Sequence, residues 1–159
     1  MSKDAIFNIV LYAPDIPGNT GSIGRTCIAL GARLVLIKPY GFELTEKAVR
    51  RAGLDYWHEL DVLEHDDWDS FLDTEVPDRL WLFTTKSIQP IWDASFQRGD
   101  YLLFGCEQHG VPKEVHDWVE QTQGDHARLV LPMIENARSL NLATAVCAAV
   151  YEGFRQISY

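Results

Sequence analysis

With 159 residues, the chain suits one domain, residues 1–159, with a sizeable apolar core. It contains no apolar run long enough to span a bilayer, and its first residues, MSKDAIFNIV, lack the apolar stretch of a signal peptide, so we expect a cytoplasmic protein that does not bind membranes. The net charge of −9 disfavours a nucleic acid as partner but does not exclude one, because the distribution of charge matters more than its sum.

The first predicted elements are a strand and a helix. The run FNIVLY (7–12) is short, apolar and rich in residues that favour strands, which is typical of a buried strand. In the stretch that follows, Ile23, Cys27 and Leu30 recur at helical spacing, and Gly31 stands where such a helix would end.

A second strand and a second helix are predicted next. The run RLVLIKP (33–39) has the same apolar character as the first strand. The stretch LTEKAVRRAG offers Thr45 as the cap of a helix and Gly53 as its stop. The same stretch gathers three cations, which are Lys47, Arg50 and Arg51.

Residues 59–78 form an acidic block. They contain nine acids and no lysine or arginine, whereas the remaining residues carry 14 acids and 14 bases. We interpret the block as a solvated face that points away from any polyanion. On this interpretation the acidic charge of the whole chain does not prevent another surface from binding RNA.

The second half of the chain continues the alternation of strands and helices. Three further runs predict buried strands, namely RLWLFTT (79–85), DYLLFG (100–105) and ARLVLP (127–132). Helical patterns cover PKEVHDWVEQ (112–121) and the segment from 139 to 157. Strands separated by helices predict an α/β domain with a mostly parallel sheet and helices on both faces.

The cysteines and histidines do not suggest a metal site. The three cysteines are odd in number, scattered and set among apolar residues, which favours reduced thiols and argues against disulfides or zinc. They are Cys27, Cys106 and Cys147. The histidines show no metal-ligand spacing, so we expect no bound metal. They are His58, His65, His109, His116 and His126.

Polar stretches follow three of the predicted strands, and the first two of these stretches contain glycine. They are GNTGSIGR (18–25), GCEQHGVP (105–112) and PMIENARSLN (132–141). Ligands of open α/β sheets bind beyond the carboxyl ends of strands, so three such stretches favour a binding site. Each also has a simpler interpretation. The first stretch is neither a P-loop nor a dinucleotide fingerprint, and it could form only a turn and a tight helix contact. In the second stretch, Glu107 could merely cap the helix near Pro112.

Three motifs carry a resemblance to a known family. NTGSIGRT (19–26), LLFGCEQHGVP (102–112) and LPMIENARSLNLATAVCAAVYEG (131–153) resemble, in order, the three motifs of the SpoU-type RNA 2′-O-ribose methyltransferases, which belong to the knotted SPOUT superfamily. The likeness covers essentially the whole chain. The short length, RRAGLDYW (50–57) and TTK (84–86) resemble the branch that methylates the wobble ribose of leucine tRNAs, at cytidine or 5-carboxymethylaminomethyluridine 34.

The resemblance implies a fold and a cofactor. In this family the last part of the chain forms a deep trefoil knot, an exception to the usual absence of knots. S-adenosyl-L-methionine binds in the knot and leaves as S-adenosyl-L-homocysteine. Carried over by position, its contacts fall at Phe83, Thr84, Gly105, Leu131, Met133 and Ser139.

The resemblance also assigns catalytic and RNA-binding roles. The main catalytic role falls to Arg25, with Asn19, Glu107 and Asn141 in support. Arg25 is either a general base or an anchor for the phosphate beside the target ribose, and the second role suits a guanidinium that stays protonated. The cations expected to contact tRNA phosphates are Lys47, Arg50, Arg51 and Lys86.

The third motif joins a polar segment to a helix of small apolar residues. A plain helix start needs one capping side chain, whereas this segment has several adjacent hydrogen-bonding groups. The resemblance assigns the segment from Asn136 to Asn141 to the return of the knot. The helix after it is apolar on more than one face, which predicts burial on all sides. The resemblance implies that it lies at the centre of a homodimer; burial within its own chain is the alternative.

Other functions remain open at this point. The chain could be a non-catalytic RNA-binding or assembly factor of the same fold, although the set of Arg25, Glu107, Ser139 and Asn141 argues against this. It could also methylate another tRNA or rRNA position, or be a different small-molecule enzyme on a parallel sheet. The favoured partners are tRNA and a second copy of the chain, not DNA.

Overall fold

The computed structural model describes residues 4–51 and 55–158, without the side chains of Glu46, Val49 and Arg50. Their strands are β1 (Asn8–Tyr12), β2 (Arg33–Ile37), β3 (Val62–His65), β4 (Leu80–Phe83), β5 (Tyr101–Phe104) and β6 (Arg128–Leu129). Their α-helices are α1 (Pro17–Leu30), α2 (Glu46–Arg51), α3 (Trp68–Glu75), α4 (Lys113–Thr122) and α5 (Leu142–Ser158). None of the helices in the described part of the chain has both the length and the apolar character to cross a membrane.

The six strands form one parallel sheet in the order β3-β2-β1-β5-β4-β6. Every residue of β2 is buried, as expected for a strand with both faces covered. Helix α1 packs against α5, and α4 packs against β4. The predicted α/β class with a mostly parallel sheet is confirmed, and the loops after β1, β2, β5 and β4 meet at one edge of the sheet.

Helix α1 contains the glycines that the sequence placed in a loop. Pro17 starts the helix with its fixed φ, and Gly31 ends it at a φ of 72°, so the predicted end is confirmed. Residues 18–25 are helical, so the prediction of a loop is wrong, whereas the alternative of a tight helix contact is confirmed at Gly24. A Cβ on Gly24 would lie 3.1 Å from Leu60 and 3.3 Å from Trp57, so this glycine permits a tight helix contact.

Helix α2 begins as predicted. Thr45 Oγ1 accepts a hydrogen bond of 3.1 Å from the Ala48 amide, which is the bond of a helix cap. Gly53, the predicted stop, lies outside the described residues.

The acidic block is only partly a solvated face. It forms β3 and α3, and Asp67 caps α3 by accepting from the Ser70 amide at 2.8 Å. The side chain of Glu75 is only 6% exposed at the end of α3, where it binds Arg33, His65 and Tyr101. The interpretation as a solvated face is therefore wrong for Glu75. The sequence pattern could not show this, because β3 and α3, with four and eight residues, are too short for a clear periodicity.

Helix α5 is buried on one side only. Val146, Ala149, Val150 and Gly153 are buried, with Gly153 so close to Phe7 that a Cβ would lie 2.8 Å from its ring. Tyr151 is 50% exposed on the opposite side. The prediction of burial on all sides is wrong for the single chain, because α1 and Phe7 pack against one side of α5 and Tyr151 on the other side is exposed. The trefoil knot stays a prediction.

Candidate active site

A cavity of about 560 Å³ lies at the carboxyl ends of β5, β4 and β6, and we call it the main cavity. It is the place where parallel sheets bind ligands. All six residues predicted to contact a cofactor line it, and so do three of the four predicted catalytic residues. These nine are Phe83, Thr84, Gly105, Leu131, Met133, Ser139, Asn19, Glu107 and Asn141.

The inner wall of the main cavity is apolar. The rings of Phe83 and Phe104 stack with centroids 4.7 Å apart, and Val130 and Leu131 continue the wall. The backbone at this wall is already bonded, since the Thr84 amide donates to the Leu129 carbonyl at 2.8 Å. An apolar slot with polar groups at its mouth is typical of a site for a nucleoside-sized ligand.

Gly105 shapes the loop that closes one side of the cavity. A Cβ on this residue would lie 2.4 to 2.7 Å from the backbone of Gly110 and Val111. Cys106 and Gly110 exchange two backbone hydrogen bonds of 3.1 and 2.9 Å, so the loop folds back over Gly105. The immediate reason for glycine is therefore the approach of the chain's own backbone.

A chain of hydrogen bonds joins three segments at the mouth of the cavity. Glu107 accepts from the amides of Asp15 at 2.8 Å and Ile16 at 3.2 Å, just before α1. Asn19 Nδ2 lies 3.5 Å from Glu107 Oε1, and Asn19 Oδ1 accepts from Asn141 at 3.0 Å. The suggestion that Glu107 caps the helix near Pro112 is wrong, because its carboxylate binds the start of α1 instead.

Asn141 also starts helix α5. Its Oδ1 accepts from the Thr144 amide at 3.2 Å, so this one side chain is the helix cap. Asn136 has a φ of 67°, and the Ala137 amide donates to the Ile134 carbonyl at 3.1 Å, which forms a tight turn. The polar residues of the third motif thus divide between a turn, a cap and, at Ser139, the wall of the cavity.

Arg25 lies away from the other predicted catalytic residues. It is exposed on α1, and its guanidinium carbon lies 5.3 Å from the centre of the Tyr56 ring. Tyr56 in turn donates to the Gly21 carbonyl at 2.6 Å. Six positions separate Asn19 from Arg25, roughly 240° around the helix axis, so the two side chains leave α1 in different directions. Arg25 is not among the described residues that line the main cavity.

The predicted RNA-binding cations do not form one group. Lys47 and Arg51 are exposed on α2, whereas the side chain of Arg50 lies outside the described part of the chain. Lys86 lines the main cavity instead. The structure thus places Lys86 at the cavity and leaves α2 as a separate cationic surface.

His116, which the sequence did not single out, also lines the main cavity. Burial on α4 lowers the pKa of its imidazole, and the charges of Lys86 and Arg128 lower it further. The ring is therefore neutral at pH 7. A lone histidine on the apolar side of a predicted helix carries no signal that separates a cavity wall from an ordinary core position.

Asp15, Cys106 and Glu107 bring their polar atoms within 4.8 Å of one another. Cys106 Sγ donates to Asp15 Oδ2 at 3.0 Å, and burial together with this bond raises the pKa of the thiol. The protonated thiol thus serves as a donor. Since Glu107 already accepts from two backbone amides, hydrogen bonding within the chain accounts for this cluster.

Known proteins resemble the chain along nearly its whole length. The model of the SpoU rRNA Methylase family matches residues 6–151. A tRNA (cytidine(34)-2′-O)-methyltransferase of Saccharophagus degradans is 45% identical over 154 residues, which are 97% of each chain. A solved structure from work on the 2-OH methylation of C/U34 on tRNA has a TM-score of 0.83 and 42% identity, and the match covers 96% of this chain and 97% of that one. The SpoU methyltransferase AviRb of Streptomyces viridochromogenes, in complex with AdoMet, has a TM-score of 0.79 and 26% identity over 98% of this chain and 62% of its own.

Proposed function

The chain belongs to the SpoU rRNA methylase family, and we propose that this methyltransferase uses S-adenosyl-L-methionine to methylate the ribose 2′-hydroxyl of wobble nucleotide 34 in leucine tRNAs. The observation that carries the proposal is the main cavity, where all six expected cofactor residues meet three catalytic candidates. The relative named for cytidine 34 supports the position of the methyl group on tRNA. Cytidine and 5-carboxymethylaminomethyluridine are the wobble bases proposed.

The main cavity fits the proposed cofactor. Its volume of about 560 Å³ accommodates a nucleoside with an amino-acid tail, and its wall of Phe83, Phe104 and Leu131 suits an adenine ring. Lys86 at the wall would face the negative charge of the cofactor's carboxylate. The cofactor supplies a methyl group that its sulfonium already activates, so the protein has to position the acceptor hydroxyl and exclude water.

The residues of this chain position the acceptor. Glu107 holds the start of α1, which fixes Asn19, and Asn19 accepts from Asn141 at the mouth of the cavity. Through these bonds Glu107 acts as a positioning residue, while the two amides are the groups available to the ribose. Arg25 supplies a permanent positive charge for the neighbouring phosphate.

A homodimer is part of the proposal. The exposed side of α5 carries Ala148 and the half-exposed ring of Tyr151, and Leu140 before the helix is 44% exposed. A second copy would cover these apolar groups. The same contact would bring Arg25 of one chain to the main cavity of the other.

Methyl transfer to short RNAs tests the function. We expect the purified protein to transfer label from S-adenosyl-L-methionine to an anticodon stem-loop of a leucine tRNA that carries cytidine 34. The matched RNA with 2′-deoxycytidine at position 34 should receive none, because it lacks the acceptor oxygen. Nucleoside mass spectrometry should identify 2′-O-methylcytidine. Absence of label in the first RNA, with adenosylhomocysteine binding shown by calorimetry, would contradict the proposal.

A further inference from the structure

A second cavity of about 530 Å³ lies beside the main cavity at the same edge of the sheet. Its lining comes from the segments that follow β1, β2 and β5. Four residues of the β5 loop line both cavities, so the two cavities meet at this loop. These four are Cys106, His109, Gly110 and Val111.

The β2 side of the second cavity presents an aromatic ring in a fixed orientation. Tyr40 lines the cavity and stacks on Phe42, with ring centroids 5.5 Å apart and planes 19° from parallel. The Tyr40 hydroxyl donates to Glu64 at 2.9 Å, which fixes the far end of the ring. A ring held in this way offers a flat surface on which a nucleobase can stack.

The β1 side of the second cavity presents a hydrogen-bond acceptor. Asp15 lines it, and one of its oxygens, Oδ2, accepts from the Cys106 thiol at 3.0 Å. The main chain of Asp15 is held as well, since its amide donates to Glu107 at 2.8 Å. Gly41 packs so closely that a Cβ would lie 3.2 Å from the Asp15 carbonyl oxygen. The carboxylate is therefore an acceptor in a fixed position.

We propose that the second cavity holds the base of the nucleotide whose ribose is methylated, with its ring against Tyr40 and its exocyclic amine donating to Asp15. This inference rests on the proposed function. Ribose and base of one nucleotide are directly bonded, and the two cavities are neighbours that share the β5 loop as lining. A carboxylate accepts from the N4 amine of cytosine but repels the O4 atom of uracil, so Asp15 would favour cytosine over the uridine derivative, which would be the slower of the two proposed substrates.

The short chain connection between the second cavity and α2 supports an RNA ligand. The segment that carries Tyr40 leads directly into α2, where Lys47 and Arg51 are exposed. Cations that follow a base-sized cavity within about ten residues of chain can bind the phosphates of the same RNA strand. The second cavity would then read the base while α2 binds the backbone.

The first test compares three anticodon stem-loops that differ only at position 34, with cytosine, with uracil or with no base on an intact ribose. For the parent protein we expect kcat/KM for the cytosine RNA to exceed the values for the other two RNAs by about tenfold or more, which is the scale of one specific base contact. This comparison needs no variant. Equal values for the cytosine and abasic RNAs would overturn the proposal.

The second test uses variants of the second cavity. In Asp15→Asn the amide can accept from cytosine or donate to uracil, so the preference for cytosine should fall to about threefold or less. Tyr40→Ala should raise the KM for the cytosine RNA and leave the abasic RNA unchanged, whereas Tyr40→Phe should keep the stacking surface. Glu43→Gln, an exposed change in the same segment, should behave like the parent.

The outcomes separate this inference from the proposed function. An Asp15→Asn protein that binds adenosylhomocysteine normally and keeps the parent's cytosine preference would overturn the role of Asp15. If Tyr40→Ala raises the KM for the cytosine RNA and for the abasic RNA equally, the stacking site is overturned. If the parent binds adenosylhomocysteine but methylates none of the three RNAs, the proposed function itself fails, and the second cavity loses its ligand with it.

Discussion

At the scale of single residues, Gly105 and Gly18 give a matched test of why the second motif needs glycine. A Cβ at Gly105 would lie 2.4 Å from the backbone of Gly110, whereas a Cβ at Gly18 would meet nothing within 4 Å. We expect Gly105→Ala to lower the free energy of unfolding by about 2 kcal/mol or more, because backbone has to move. Gly18→Ala, in the first turn of α1, should change it by less than about 1 kcal/mol.

Urea unfolding of the two variants and calorimetry with adenosylhomocysteine check this prediction. Since the 105–110 loop forms one wall of the main cavity, Gly105→Ala should also weaken adenosylhomocysteine binding. The Gly18→Ala protein should bind as the parent does. Equal stability of the two proteins would show that the loop adapts to a side chain, and the packing argument would then be wrong.

Several residues of the site were predictable and their contacts were not. The resemblance named Asn19, Glu107 and Asn141, and the structure brings them to one cavity mouth. The sequence did not predict that Glu107 binds the start of α1, because that contact joins residues 91 and 92 positions apart. Asp15 and Tyr40 had no motif of their own. Only the order of strands in the sheet places the loops after β1, β2 and β5 side by side.

At the scale of elements, prediction succeeded where the periodic pattern was long. Helix α1 has 14 residues, with Ile23 and Cys27 buried at helical spacing and a glycine at its end, and it was predicted except for its glycine-rich first half. Strand β3 and helix α3 have only four and eight residues, and they lie in a block with nine acids. Their periodic apolar patterns were therefore not recognised. Helix α5 was predicted, but composition cannot distinguish a face buried within its own chain from one left for a partner.

The buried network of Glu75 joins α3 to β2, β3 and β5 and should make stability depend on acid. Burial alone would raise the pKa of Glu75, but the hydrogen bond from Tyr101, the charge of Arg33 and the bond to His65 outweigh it and lower the pKa. A pKa lower in the folded than in the unfolded chain contributes stability that is present above the ordinary value of 4.5 and is lost as pH falls through the folded value.

We therefore expect Glu75→Gln to cost about 3 kcal/mol at pH 7 and less at pH 3.5, since acid removes the contribution from the parent alone. Asp66→Asn is the matched control, because Asp66 lies in the same acidic block with its side chain 85% exposed and should change stability by less than about 0.5 kcal/mol. Urea unfolding across this pH range measures both. A Glu75→Gln cost that is constant with pH would contradict the ionic role.

A substitution on the exposed side of α5 tests the proposed homodimer. Tyr151 is 50% exposed in the single chain, and an isologous contact would place it against a second copy. We expect Tyr151→Glu to shift the protein from dimer to monomer in sedimentation experiments at micromolar concentration, because a buried unpaired charge opposes association. Gln121→Glu, an exposed change on α4, should leave the dimer intact. A parent protein that sediments as a monomer would contradict the dimer itself.

At the scale of the whole molecule, the position of Arg25 suggests that one active site needs two chains. Arg25 is exposed on α1, is not among the described residues that line the main cavity, and leaves the helix on a different side from Asn19. Helix α1 packs against α5, the helix proposed to meet the partner. A dimer formed through α5 would therefore carry Arg25 toward the partner, where it would serve the cofactor held by the other chain.

Mixing two inactive variants tests this arrangement. Arg25→Ala removes the arginine and keeps the main cavity, whereas Thr84→Trp fills the cavity from the end of β4 and keeps the arginine. If Arg25 acts across the dimer, each heterodimer pairs one intact cavity with one intact arginine, and an equimolar mixture should recover about a quarter of the parent's methyl transfer. If Arg25 acts within its own chain, both sites of every heterodimer lack one part, and no activity returns. Native mass spectrometry has to show that heterodimers form, and adenosylhomocysteine calorimetry has to show that Arg25→Ala binds while Thr84→Trp does not. Heterodimers without activity would refute the shared site and leave Arg25 to act, if at all, within its own chain.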